Sequence, residues 1–158
     1  MNVLIFSTFH LPPHFAAINL EFIQKNLDEG NKVFIVDCHS SFDSCGFNSY
    51  RLKYMCEICK YREDKGLTLI KGELTKFSLS EIIKKTHRNA AERFIEQRNK
   101  IEKELKYDSL DLGEAVYSSY ISKTRQREFT AASDMEVLQR HAFNSIQVYE
   151  ALKDFIQE

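Results

Sequence analysis

The sequence predicts an α/β fold: a Rossmann-like, three-layer domain with a small parallel sheet, long C-terminal helices and a cysteine-rich metal-binding insertion. Three observations support this prediction. Two apolar, β-branched runs flank a segment of helical period near the N-terminus, residues 79–158 show mainly helical periodicity, and all four cysteines fall within residues 38–62. The 158 residues, 43% of them hydrophobic, are enough to form one core, so we expect a single domain over residues 1–158.

The first 37 residues predict a βαβ unit. Residues 2–8 (NVLIFST) and 32–37 (KVFIVD) are short apolar runs that are typical of strands buried in a parallel sheet. Between them, apolar residues recur on one helical face: Ala16, Leu20, Ile23 and Leu27. Gly30 follows, where a helix commonly ends in a glycine. General rules of handedness then predict parallel strands joined by a right-handed crossover.

The loop after the first strand lacks a nucleotide-binding signature. Dinucleotide-binding folds carry G-x-G-x-x-G at this place, whereas this loop reads STFHLPPHF and contains no glycine. Ligands of open α/β sheets still bind beyond the carboxyl ends of the strands, which is where His10 and His14 fall. We therefore predict that His10 and His14 contact a ligand or supply one proton-transfer group. The alternative is that they are only polar residues of a loop and a helix start.

All four cysteines lie in one segment with the spacing C-x6-C-x10-C-x2-C: Cys38, Cys45, Cys56 and Cys59. Four thiolates suit a tetrahedral zinc ion, and they leave no open position for a catalytic water, so we predict a structural zinc site. Residues 40–62 look polar and irregular, and an ion would offset the entropy lost on ordering them. His39 is placed to replace one sulfur. Free buried thiols, disulfides, an iron–sulfur cluster and a redox pair formed by Cys56 and Cys59 stay open as alternatives.

The second half of the chain predicts one more strand and then helices. Residues 66–71 (GLTLIK) predict a third strand, and a capping box formed by Ser78 and Glu81 opens a helix to about residue 106. Its densely charged face indicates a solvated surface. A shorter helix over residues 111–123 follows, and a second capping box, Ser133 to Glu136, opens the last helix from residue 134.

Hydroxyl side chains cluster near the end of the shorter helix. Ser118 and Ser119 are adjacent, and Arg125 follows closely. The cluster predicts the wall of a polar ligand pocket, with Arg125 available for a phosphate or carboxylate group. The alternative is a polar helix end without a ligand.

Composition excludes several classes of function. The net charge of −1 gives no basic field for nucleic acid, so we expect no nucleic-acid partner. No apolar run approaches 18 residues, and the first ten residues lack the basic region of a signal peptide. Reduced thiols then predict a cytoplasmic location, which includes a peripheral one at the inner face of the membrane.

Several sequence blocks resemble known bacterial proteins. FSTFHLPPHF is similar to the acceptor-side start of two-domain glycosyltransferases with twin Rossmann-like halves. The blocks LEFIQKNLDEGNKVFIVDC, CEICKYR, KGLTLI and GEAVYSSYISKTR resemble bacterial proteins of surface-polysaccharide biosynthesis. The resemblance implies an N-terminal, acceptor-side domain of such a glycosyltransferase, with His10 or His14 at the cleft.

The resemblance also implies partners. The sugar nucleotide would bind mainly to a C-terminal domain of the full-length chain, so residues 1–158 alone would not transfer sugar. A sugar or a lipid-linked acceptor would bind to this half. The competing prediction is a stand-alone, zinc-stabilised binding module without enzymatic activity.

Overall fold

A computed structural model describes residues 1–7, 13–42, 45, 48, 52–98, 100–124 and 132–157. These residues form three parallel strands and six helices, so the α/β class predicted from the sequence is confirmed. The chain divides into two compact units, Met1–Glu81 and Ile82–Glu158. The Rossmann-like three-layer arrangement, the cysteine-rich insertion and the single domain over residues 1–158 stay predictions.

The first unit is built on a parallel sheet whose strand order, β1-β2-β3, follows the order of the chain. The strands are β1, Asn2–Ser7, β2, Lys32–Asp37, and β3, Leu74–Ser78. Two helices connect them: α1, Pro13–Asp28, and α2, Lys53–Leu67. The βαβ unit predicted over the first 37 residues is confirmed, including the parallel pairing of its strands.

Both helices contribute to one hydrophobic core on one face of the sheet. The buried side chains of this core are Ile5, Ile23, Val33 and Ile35. Leu27 of α1 and Leu67 of α2 pack against them. Alternation along the strands and the 3.6-residue period of α1 bring these side chains together. Gly30 ends α1 as predicted, with φ 75° and its N–H donating to the Leu27 carbonyl at 2.9 Å.

The third strand does not lie at residues 66–71, where the sequence predicts it, but at Leu74–Ser78. Residues 66–71 instead complete α2 and the turn that follows it. Leu67 and Ile70 pack on the core beside the sheet without strand pairing, whereas Leu69 is 74% exposed. The charged Lys76 in the middle of LTKFS obscured the true strand, because lysine is uncommon in strands.

The second unit packs three helices around its own core. They are α4, Lys85–Glu96, α5, Leu112–Thr124, and α6, Ala132–Gln157. The core consists of these buried residues: Ala91, Ile101, Leu112, Val116, Tyr120, Leu138, Ala142 and Ile146. The hydroxyl of Tyr120 donates to the Asp134 carboxylate at 2.7 Å, which satisfies the polar end of a ring that is otherwise buried.

The single helix predicted from residue 79 to about 106 is instead two helices followed by irregular chain. α3 spans Leu79–Ile82 and α4 ends at Glu96, and the described residues between 97 and 111 form turns, irregular chain and an isolated antiparallel bridge between Tyr107 and Leu110. The predicted capping box at Ser78 is present, since the Glu81 carboxylate accepts the Ser78 N–H at 2.7 Å. The irregular stretch places Ile101 in the core, which a continuous helix need not do.

His87 stabilises the start of α4. Its Nδ1 accepts the backbone N–H of Lys84 at 3.1 Å, and its Nε2 lies 2.9 Å from Oδ2 of Asp154. Because Nδ1 accepts a hydrogen bond, Nε2 carries the proton and donates to Asp154. The ring therefore caps α4 and ties it to α6.

The last helix begins at Ala132, two residues before the predicted start. Ser133 lies inside α6, so the second predicted capping box is wrong. Leu138 and Ala142 of α6 are buried, whereas Ile156 near its end is 69% exposed. Although α6 runs for 26 residues, neither it nor any other helix in the described ranges is long and apolar enough to cross a membrane.

Candidate metal centre

The cysteine segment begins at the carboxyl edge of the sheet. β2 is the central strand, and its last residue, Asp37, lies in register with Ser7 of β1 and Ser78 of β3. Cys38 follows Asp37 directly. Since ligands of open α/β sheets bind beyond this edge, the segment starts where such folds commonly place a functional site.

The four thiols line a common cavity of about 50 Å³. Cys38 follows β2, Cys45 lies in the connection to α2, and Cys56 and Cys59 stand on α2 itself. A separation of three residues places two side chains on the same helical face, so the C-x2-C pair presents both thiols to the cavity. A space of this size suits a water molecule or a single ion but is too small for a sugar.

The backbone after Cys38 folds tightly around its sulfur. His39 and Ser40 adopt φ values of 40° and 62°, which L-residues rarely adopt. The Ser41 N–H donates to the Cys38 carbonyl at 2.8 Å, and the backbone N–H groups of Phe42, Ser41 and Ser40 act to lower the pKa of the Cys38 thiol. Burial nevertheless raises the pKa of the Cys38 thiol to about 11. The turn therefore provides donors for a thiolate, but a cation is needed to form that thiolate at neutral pH.

Asn48 connects the two halves of the cysteine segment. Its backbone N–H donates to the Cys45 carbonyl at 3.0 Å, and its side-chain nitrogen donates to Cys56 Sγ at 3.2 Å. The same nitrogen donates to the Leu52 carbonyl at 2.8 Å, while the side-chain oxygen accepts the Leu52 N–H at 2.8 Å. Asn48 is buried, at 6% exposure, and its side chain holds Leu52, the residue before α2, close to the sulfur of Cys56.

The thiols share a cavity without forming a finished metal site. Within the part of the chain that the structure describes, no three His, Cys, Asp or Glu side chains are grouped closely enough to hold an ion together. The zinc site therefore stays a prediction that the positions of the four cysteines around the cavity motivate. Four sulfurs, two of them approached by N–H donors, form a donor set that suits zinc or another thiophilic ion.

His39 lies beside the same cavity, but both of its ring nitrogens face other charged groups. Nε2 is 3.1 Å from Nζ of Lys60, and Nδ1 is 3.8 Å from Oδ2 of Asp37. The contact with Lys60 occupies the lone pair that a metal would need. The four cysteines therefore remain the better ligand set.

A cluster of charged side chains lies beside the cavity. One of its members, Glu63, also lines the cavity. Nζ of Lys76 lies 2.9 Å from Asp37, 3.4 Å from Glu63 and 3.1 Å from Asp64. Burial, and then the negative charge of Asp37, raise the pKa of Glu63 to about 7. Burial would lower the pKa of Lys76, but its contact with Asp37 and the charge of Glu63 outweigh that effect and raise it. Lys76 is therefore the counter-charge that allows two carboxyl groups to be buried together.

The predicted ligand-contact residues fall in different parts of the chain. His10 and Arg125 lie outside the described residues. His14 is exposed in the first turn of α1, where its ring lies 4.5 Å from that of Phe15. Ser118 and Ser119 are exposed on α5 in the second unit. The ligand-binding roles of these five residues stay predictions.

The sequence patterns described above do not single out three residues of the candidate centre. Asn48, Glu63 and Lys76 sit in stretches that look polar or irregular. Asn48 could have been found by its place between cysteine pairs, because side-chain amides often bond sulfur or backbone near a metal site. Glu63 and Lys76 meet only through the pairing of β3 with β2, which a linear pattern does not reveal.

Comparison of the chain with protein-family models, curated proteins and solved structures gave no match. The resemblance to glycosyltransferases of surface-polysaccharide biosynthesis therefore stays a prediction from sequence blocks. Function must be inferred from the contacts, burial and charges of the described residues.

Proposed function

We propose that the first unit is a metal-binding module in which Cys38, Cys45, Cys56 and Cys59 hold one structural zinc ion. The observation that carries this proposal is the shared cavity, which all four thiols of the chain line. The sulfurs come from three separate places in the segment: the end of β2, the following loop and α2. An ion bound by all four would join these places covalently, much as a disulfide would.

The role assigned to the ion is structural. Four thiolates complete a tetrahedral shell, so no position is left for a reacting water. Two large apolar side chains at the start of α2 are exposed: Leu52, its N-cap residue, at 41% and Tyr54, in its first turn, at 56%. Metal–thiolate bonds would supply the stabilisation that hydrophobic burial does not supply there.

Untagged protein is expected to contain about one zinc ion per chain, because the cavity has room for a single ion with four sulfurs. Replacement of Cys56 by serine removes a first ligand and is expected to weaken zinc binding by more than about 100-fold, beyond the loss typical of outer-shell changes. Elemental analysis and competition with a chromophoric chelator measure both quantities.

Ser118→Ala provides a matched control, since Ser118 is an exposed hydroxyl residue of the second unit. It should retain full zinc content. Folded wild-type protein with four titratable free thiols and no metal would refute the zinc proposal. Visible charge-transfer bands with bound iron and sulfide would instead identify an iron–sulfur cluster.

A second candidate function is the acceptor-binding half of a glycosyltransferase. The observation that favours it is the open parallel sheet with polar residues, Ser7, Asp37 and Ser78, in register at its carboxyl edge. Ligands of open α/β sheets bind at this edge. The donor sugar nucleotide would bind to a C-terminal domain of the full-length chain, and a sugar or lipid-linked acceptor to this half.

Titration of the protein with oligosaccharide and lipid-linked acceptors tests this second function. The imidazole resonances of His10 and His14, assigned with His10→Gln and His14→Gln variants, are expected to shift on binding. His87 serves as the internal control, because its ring is buried and bonded to Asp154. Acceptors that leave both loop histidines unmoved would favour the zinc-stabilised binding module without enzymatic activity.

A further inference from the structure

We infer that Asn48 is a positioning residue of the cysteine site: it sets the distance between Cys45 and the C-x2-C pair and donates a hydrogen bond to the Cys56 thiolate. This inference rests on the proposed metal site, because it assigns an outer-shell role around that ion. It concerns an amide that does not itself bind the metal.

Asn48 is buried, at 6% exposure, although its connecting loop is polar. Burial of an amide is costly unless its groups are paired. Both hydrogens of its side-chain nitrogen are used, one toward Cys56 Sγ at 3.2 Å and one toward the Leu52 carbonyl at 2.8 Å. The oxygen accepts the Leu52 N–H at 2.8 Å. The side chain is thus held in one orientation, and a fixed N–H is aimed at a sulfur.

The contact of Asn48 with Cys56 differs from its other hydrogen bonds, because its strength depends on the charge of the sulfur. Thiol sulfur is a weak acceptor, so a short N–H···S contact contributes little while Cys56 is neutral. A thiolate bound to a metal carries negative charge, and the same N–H then makes a charge-assisted bond. The contact therefore becomes stronger in the metal-bound state, which is the behaviour expected of an outer-shell donor.

The backbone of Asn48 connects it to Cys45 as well. Its N–H donates to the Cys45 carbonyl at 3.0 Å, and the two residues form an isolated antiparallel bridge. One residue consequently contacts the Cys45 backbone, the Cys56 sulfur and the N-cap residue of α2, Leu52.

Asn48→Asp is the sharpest test, since aspartate has the same shape and keeps the oxygen that accepts the Leu52 N–H. It loses both side-chain donors and places a negative charge beside the thiolate. Metal-free full-length protein is titrated with Co²⁺, and the thiolate-to-cobalt charge-transfer band reports both affinity and sulfur environment. We expect Asn48→Asp to bind Co²⁺ about 10- to 100-fold more weakly, with a shifted charge-transfer band.

Asn26→Asp is the matched control. Asn26 is another buried asparagine of the first unit, at 7% exposure, and its side chain donates to the Phe22 carbonyl at 2.8 Å within α1. It should lower the free energy of unfolding while leaving the cobalt band and affinity unchanged. Circular dichroism on both variants confirms that the protein is folded during the titration.

The outcomes separate the inference from the proposed function. A wild-type chain without a cobalt charge-transfer band would overturn the metal site and the role of Asn48 with it. If the wild type binds Co²⁺ and the Asn48→Asp variant shows the same affinity and the same charge-transfer band, the metal site stands and only the role of Asn48 is overturned. Equal losses of affinity in the Asn48 and Asn26 variants would show a general stability effect and would also overturn it.

Discussion

Replacing Gly113 by alanine is expected to unfold the second unit, with a loss of about 3 kcal/mol or more in the free energy of unfolding. Gly113 is the second residue of α5, and its N–H donates to the Leu105 carbonyl at 2.8 Å. A Cβ at this position would overlap the carbonyl oxygens of Glu102 and Lys103. Backbone atoms cannot rotate away as a side chain can, so α5 or the irregular chain before it must shift.

The destabilisation caused by Gly113→Ala should be confined to the second unit. Hydrogen exchange in the Gly113→Ala variant is expected to accelerate in α5 and α6 and to change little in the sheet, because Gly113 belongs to the second unit. Urea unfolding measures the size of the loss. Gly30→Ala is the control, since Gly30 has φ 75° but nothing within 4 Å of an added Cβ. It should lose only about 1 kcal/mol, the usual cost of a left-handed non-glycine residue. Equal losses in both variants would contradict the predicted clash.

Replacing Lys76 by methionine is expected to destabilise the first unit by about 3 kcal/mol, near the lower end of the range for breaking a buried ion pair. The variant keeps most of the side-chain volume but removes the ammonium group 2.9 Å from Asp37. Asp37 and Glu63 would then remain buried, at 1% and 6% side-chain exposure, beside each other without this counter-charge. Urea unfolding, together with hydrogen exchange of the β2 and β3 amides, measures the loss in the free energy of unfolding.

Two further variants test the cause of the Lys76 effect. Lys53→Met removes a lysine that is 92% exposed and paired with Glu57 at 3.9 Å, so it should change stability by less than about 0.5 kcal/mol. Adding Asp37→Asn to Lys76→Met removes one buried charge and should recover part of the loss. A Lys76→Met variant as stable as Lys53→Met would show that Lys76 does not compensate the buried carboxyl groups.

Much of the first unit follows from local patterns. The strand at residues 32–37 lies where the sequence predicts it, the first strand agrees within a residue, and α1 contains the predicted apolar face and ends before Gly30. The apolar runs there are short, uninterrupted and separated by Gly30. β3 was misplaced because its inward-facing residue is Lys76, whose position depends on Asp37 in the neighbouring strand. Patterns of hydrophobicity cannot reveal a strand that is stabilised partly by a charge from elsewhere in the chain.

Only some residues of the candidate site could be predicted from the sequence. The four cysteines were identified as one set because their residue type and spacing are visible in the sequence. Asn48 and Glu63 acquire their roles only through contacts with Cys56 and Asp37, which folding creates. The break at Lys84 was missed for a similar reason. Without a glycine or proline near it, only the contact of His87 with the Lys84 N–H marks the new helix start.

The order of the strands has a consequence for synthesis on the ribosome. Because β1, β2 and β3 are neighbours in space in the order in which they are made, each new strand pairs with the one completed just before it. The last strand ends at Ser78, so the entire ladder is available once about half of the chain has emerged. Domains generally fold as units during translation, from the N-terminus onward. All four thiols precede β3, so the proposed zinc ion would have its complete ligand set before the helices of the second unit have been translated.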